Sequence, residues 1–146
     1  GVYMFGATGS GKTCFATVLA KELIKLGKEC WFKNIADLMF EIKSTFDNEN
    51  KILNDYGIIC EWAQKEYLVL DDLGSQKDSE YVRQSLYVLV NKRYLEDMPT
   101  FVTSNLAINS LGERLDSRIS SRLNEMCLQV DFGSRDLRGY KSVVEK

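Results

Sequence analysis

Histidine is absent, proline occurs once, and the four cysteines lie far apart with no Cys-x-x-Cys pair. A zinc centre built on Cys14, Cys30, Cys60 and Cys127 would lack the partners it needs, so buried free thiols in a reducing cytoplasm are expected. No apolar run approaches the ~20 residues that span a bilayer, and no charged segment followed by an apolar stretch marks a signal peptide. Membrane partners are therefore not expected, and a cytoplasmic location is. Positive charge is not in excess either. A net charge of −2 argues against a broad basic surface and leaves any nucleic-acid contact to a local cluster or to several assembled copies. Binding of single-stranded DNA by the chain alone should be weak. Repeats, low-complexity segments and linkers are also missing. What remains is an ordinary globular composition, 45% hydrophobic and 27% charged over 146 residues, which fits one domain with its own core. There is no initiator Met, and Gly1 opens directly onto the apolar run Val2-Tyr3-Met4-Phe5. The expectation is that 1–146 is a domain of a longer protein whose N-terminal region precedes Gly1.

Strand-like and helix-like segments alternate, the pattern of a parallel sheet covered by helices. Val2 to Phe5 reads as the first strand and Lys12 to Leu26 as a helix. In that helix Phe15, Val18, Leu19, Leu23 and Leu26 keep helical spacing, and Gly27 stands at the stop. Cys30 to Lys33 is a second strand. Ile35 to Lys65 is a longer helical stretch, broken by the polar run Asp47-Asn48-Glu49-Asn50. Tyr67 to Leu70 is a continuous apolar strand, expected in the interior of the sheet. Ser79 to Glu96 is a helix, Thr100 to Thr103 a fourth strand, Ser110 to Asn124 a helix, and Cys127 to Phe132 a fifth strand before a short polar tail.

Chemistry concentrates at the first strand–helix junction. Gly6-Ala7-Thr8-Gly9-Ser10-Gly11-Lys12-Thr13 has the Gly-x-x-x-x-Gly-Lys-Thr spacing of a phosphate-binding loop for ATP. Glycines let the backbone curl so that successive amides point at phosphates, and the helix N-terminus adds a favourable dipole. Lys12 brings positive charge to the β- and γ-phosphates, and the Thr13 hydroxyl ligates Mg²⁺. The acidic partner is Tyr67-Leu68-Val69-Leu70-Asp71-Asp72, with two carboxylates at a strand's C-terminal end, where open α/β sheets bind ligands. Asp71 is expected to hold the Mg²⁺ shell, and Asp72 to polarise the attacking water as general base.

Two further features stay open on spacing alone. Thr103-Ser104-Asn105 is either a plain turn or, if the fourth strand lies between the first and third, a polar tip between the loop and the carboxylates. On the helix 110–124, Leu111, Leu115, Ile119 and Leu123 repeat at i+4, with Arg114, Arg118 and Arg122 on the adjoining ridge. That ridge is either a solvated face or an edge offering guanidinium to phosphate, on nucleic acid or on the nucleotide of a neighbouring subunit.

Together these motifs, with Leu111-Gly112-Glu113-Arg114 followed by Ser117-Arg118 and with Phe132-Gly133 through Asp136-Leu137-Arg138, resemble the ATPase domain of the DnaC/DnaI helicase loaders. The closely related IstB transposition ATPases share the pattern, and both belong to the initiator/loader branch of the AAA+ ATPases. The resemblance covers essentially the whole chain. It implies a three-layer α/β P-loop NTPase of AAA+ type, with a five-stranded parallel sheet and no C-terminal helical lid. It implies ATP and Mg²⁺ as ligands, ATP hydrolysis that is slow outside an assembly, and a role in loading the replicative helicase onto single-stranded DNA, with self-association in the ATP-bound state. Asn105 is similar to the family's polar sensor, Arg118 to its arginine finger, and Arg138 stands where a γ-phosphate-sensing arginine would lie. The family usually closes its acidic strand with Asp-Glu; here Asp72 is one methylene shorter. An IstB-like transposition regulator is the alternative from the same branch. A P-loop small-molecule kinase is a more distant one: residues 35–65 could be misread as the lid it needs, and Asn105 and the arginine ridge stand against it. Asn91-Lys92-Arg93-Tyr94 lacks the aspartate that reads guanine, which argues against a GTPase.

Overall fold

The computed structural model describes residues 1–43 and 51–138. In chain order it contains β1 (Val2–Phe5), α1 (Lys12–Lys25), β2 (Cys30–Asn34), α2 (Ile35–Lys43), α3 (Lys51–Ala63), β3 (Tyr67–Leu73), α4 (Glu80–Leu95), β4 (Thr100–Ser104), α5 (Ile108–Arg114), α6 (Ser117–Met126) and β5 (Leu128–Asp131). The strands form one parallel sheet in the order β2-β3-β4-β1-β5. The fourth strand therefore does lie between the first and third, and β3 is interior, as its unbroken apolar run requires.

Strand alternation divides the core in two. Tyr3, Leu68, Leu70 and Val102 pack with the apolar stripes of α2, α4, α5 and α6 on one face, whereas Met4, Val69 and Phe101 meet Ala16 and Ala20 of α1 on the other. The result is the three-layer α/β arrangement expected. The stripe Ile35, Leu38, Met39 and Ile42 of α2 is buried in the core, so α2 does not serve as a lid over a kinase pocket. The polar run at 47–50 lies outside the described residues. Helix α4 starts where Ser79 accepts a hydrogen bond from the Val82 amide (3.2 Å), a side-chain N-cap.

Three local expectations change. The helix foreseen at 110–124 is two helices. At its middle the Asp116 side chain accepts from the Arg118 amide at 2.8 Å and so caps a new helix, while the Asp116 backbone turns extended after the C-cap at Leu115. Leu111, Leu115, Ile119 and Leu123 are buried all the same, but the arginines no longer share one ridge, since Arg114 belongs to α5 and Arg118 and Arg122 to α6. In α1 the sheet is met by small residues, and Phe15, Val18 and Leu26 are exposed. Of the free cysteines only Cys127 is buried, and Cys14 is exposed.

Arg93 sets the opposite end of the sheet. It is fully buried, and it donates to Thr100 Oγ1 (2.8 Å), to the Ala63 and Lys65 carbonyls (2.8 and 2.7 Å) and to the Pro99 carbonyl (2.7 Å). Those acceptors are neutral, and burial brings the guanidinium pKa down to about 10. One side chain thus joins the end of α3 to the start of β4. Arg93→Ala is expected to destabilise the fold by about 3 kcal/mol or more, because it opens a cavity and strands buried carbonyls. Urea denaturation checks this through a lower midpoint at unchanged slope.

Candidate nucleotide site

The loop 6–11 leaves β1 at the strand's C-terminal end and enters α1 at Lys12. Gly11, the residue before the helix, provides no side-chain cap, so the first-turn amides keep donors for an anion. The Ser10 hydroxyl is buried without a partner, a second donor that a phosphate would satisfy. Lys12 is buried and donates to the Gly6 and Ala7 carbonyls (2.9 and 2.8 Å) and to Asn105 Oδ1 (3.0 Å). Burial pushes its pKa down; Asp72 and Asp71 oppose that shift, and Arg138 adds to it.

The carboxylates sit across the cleft. Asp71 Oδ1 accepts from the Thr13 hydroxyl at 2.9 Å and from the Thr103 hydroxyl at 2.7 Å. Asp72 Oδ1 accepts from Asn105 Nδ2 at 3.3 Å. Asn105 therefore bridges Lys12 and Asp72, and the tip of β4 is more than a turn. Thr8, Gly9, Gly11, Lys12, Thr13, Asp71, Asp72, Asn105 and Arg138 all line one cleft of about 370 Å³. Thr13 and Asp71 offer oxygen donors only, a set that suits a hard cation such as Mg²⁺.

Two cleft residues were not foreseen. Cys14 lines it from the first turn of α1, and Asn34 from the end of β2, where it registers with Asp71. Asn34 Oδ1 accepts from the Ala36 amide at 2.9 Å, capping α2; only the strand pairing places it here. Nor is 133–138 a plain polar tail. Ala7 donates to the Gly133 carbonyl and Leu137 to the Gly9 carbonyl, both at 2.9 Å, which carries Arg138 to the cleft. Glycine is required for that approach: Gly6 and Gly9 have φ of 146° and 84°, and a Cβ on Gly9 would overlap the Asp136 carboxylate.

Arg118 is elsewhere. Its guanidinium pairs with Asp116 (2.7 Å) and lies over the Tyr87 ring, 4.3 Å from the centroid, and it is not among the cleft-lining residues. Arg122 is tied to Asn91 Oδ1 at 2.6 Å and packs on Tyr87 and Tyr94.

Residues 1–134, nearly the entire chain, match the family described as IstB-like ATP binding protein. The chain belongs to that family. Among curated proteins, this IstB-like domain is 29% identical over 122 residues to the replicative helicase loader DnaC of Escherichia coli K12, covering 81% of the chain and 47% of that protein. It is 30% identical over 132 residues to DnaC of Buchnera aphidicola subsp. Baizongia pistaciae, covering 88% and 53%. The chain thus spans about half the length of the curated relatives it matches. Among solved structures, the DnaC helicase loader superposes with a TM-score of 0.76 at 27% identity, covering 89% of the chain and 76% of that one. DnaI superposes at 0.77 and 25%, covering 90% and 72%. AMPPCP-bound DnaA from Aquifex aeolicus shares the fold at 0.76 and 18% identity, covering 90% and 39%. The architecture is that of the AAA+ P-loop NTPases.

We propose that Lys12, the lysine of the loop, is the charge that faces the phosphates of bound ATP. Charge-assisted hydrogen bonds contribute about 1.5–3 kcal/mol, so Lys12→Ala is expected to weaken ATP binding about 10- to 100-fold by calorimetry. Equal affinities would remove Lys12 from the site.

Proposed function

We propose that this chain is the ATP-hydrolysing unit of a cytoplasmic helicase loader, a switch that associates with its own copies and with a replicative helicase on single-stranded DNA. The observation that carries the reading is the bridge from Lys12 through Asn105 to Asp72, which links loop, sensor position and general base in a chain related to DnaC. The loop amides and Lys12 bind the β- and γ-phosphates. Thr13 and Asp71 would hold Mg²⁺, which supplies charge neutralisation at the phosphate oxygens. Asp72 accepts the proton of the attacking water, and Asn105 orients that carboxylate while its own oxygen steadies Lys12. Arg138, at the cleft rim, meets the phosphates from the same chain. Arg118 is the group offered to the nucleotide of a neighbouring subunit.

The family match is to IstB-like ATP binding proteins, and the second reading we weigh is a transposition ATPase acting with a transposase on duplex DNA. Mixing the full-length protein with the replicative helicase and circular single-stranded DNA separates the two. Under the loader reading, ATP promotes co-elution with the helicase and transfer of the helicase to the circle. Association with a transposase and duplex DNA, and none with the helicase, would favour the second reading.

A further inference from the structure

In a regular strand Asp71 and Asp72 would point to opposite faces of the sheet. They line one cleft instead. Between the pairs Leu70–Val102 and Leu73–Ser104, two residues of β3 stand against the single residue Thr103 of β4. This bulge bends the strand so that both carboxylates face the loop. It holds Asp72 at φ 63°, a left-handed conformation that strains a residue with a Cβ, though aspartate tolerates it better than most. It also interrupts the ladder, so the Asp72 amide needs an acceptor from outside the backbone.

Thr103 supplies that acceptor. Its hydroxyl oxygen receives the Asp72 amide at 2.9 Å and donates its proton to Asp71 Oδ1 at 2.7 Å. A hydroxyl has one proton and an amide cannot accept, so the direction of both bonds is fixed. Thr103 is 1% exposed and Asp71 7%, which leaves water little access to replace either bond. The Thr13 bond to the same carboxylate comes from α1; among the described residues, only the Thr103 bonds tie Asp71 and Asp72 to the neighbouring strand through one atom.

We propose that Thr103 is a positioning residue: its hydroxyl locks the bulge that turns both carboxylates toward the nucleotide. It touches no phosphate and acts through Asp71 and Asp72. The inference rests on the ATPase reading above, but the lock can be tested without nucleotide.

Thr103→Val keeps the branched shape and removes both bonds, while Thr103→Ser keeps the hydroxyl. Three quantities are compared in the full-length protein: hydrogen exchange of the Asp72 amide in nucleotide-free protein, ATP affinity with and without Mg²⁺, and kcat against KM. Loss of a hydrogen-bond partner behind a metal ligand typically costs about 10- to 100-fold in metal affinity or activity. Thr103→Val is expected to expose the Asp72 amide to exchange at least about tenfold faster. It should also cut the Mg²⁺-dependent gain in ATP affinity about tenfold and lower kcat about 10- to 100-fold. Affinity for Mg²⁺-free ATP should stay within about twofold, because those contacts are the loop's own. Thr103→Ser should restore all three. Wild-type values for Thr103→Val would overturn the proposal. So would a loss of Mg²⁺-free ATP binding that serine does not rescue, since that marks a role in the fold alone. Should the valine protein not fold, Thr103→Ala takes its place, and failure of both to fold would equally overturn it. A wild-type protein that binds no ATP would sink the ATPase reading instead, and the Asp72 exchange rate would still decide whether Thr103 holds the bulge.

Discussion

Arg118→Ala should bind ATP as the wild type does and yet lose stimulation on assembly, by a factor on the order of 10³–10⁵, the usual contribution of an arginine finger. Arg118 lies outside its own cleft. Ile119 and Leu123 of α6 are buried while Arg118 is exposed, so under the proposed function its guanidinium serves a nucleotide on another chain. Its present partners are Asp116 and the Tyr87 ring, and its side chain remains 56% exposed. The pair is bidentate and the Asp116 side chain is 14% exposed, so a phosphate must compete with Asp116 for the guanidinium. Wild-type specific activity should therefore rise with protein concentration or with an assembly partner. An equal mixture of Arg118→Ala and Lys12→Ala chains should recover part of that activity, because the intact arginine of one chain meets the intact loop of the other. Rates independent of concentration, with no recovery on mixing where the chains demonstrably associate, would make Arg118 a solvated surface charge.

Asp72→Asn should leave ATP binding nearly intact and lower the single-turnover hydrolysis rate by about 10²–10⁴, the range of general base catalysis. Asparagine keeps the size and tolerates the φ of 63°. It also keeps an oxygen for the 3.3 Å bond from Asn105, so the backbone need not move. What disappears is basicity. An unchanged rate at saturating ATP would assign the activation of water to another group.

The parts of this site that were legible in the sequence are those written in side-chain identity. The 6–13 loop follows from glycine spacing, and the pair Asp71-Asp72 from carboxylates that end an apolar run. That both carboxylates enter one cleft was not legible, because it depends on the register of β3 against β4 and on a hydroxyl one strand away. The 110–124 segment read as one helix because its i+4 apolar repeat continues across the break. Asp116 ends one helix and caps the next without disturbing that repeat, since Leu115 and Ile119 are buried on either side. In α1 the small Ala16 and Ala20 meet the sheet, and spacing of large apolar residues overstated the burial of Phe15 and Val18. Residues 133–138 looked like a tail because their contacts with the loop are backbone to backbone, and no side-chain pattern records those.

The most direct measurement is calorimetric titration of the wild-type protein with ATP in the presence and absence of Mg²⁺. The predicted result is one nucleotide per chain, bound more tightly with Mg²⁺, since Thr13 and Asp71 meet at 2.9 Å beside the loop with oxygen donors that suit that cation. Failure to bind ATP, or an affinity indifferent to Mg²⁺, would contradict a cleft that joins the phosphate loop to the Asp71 carboxylate.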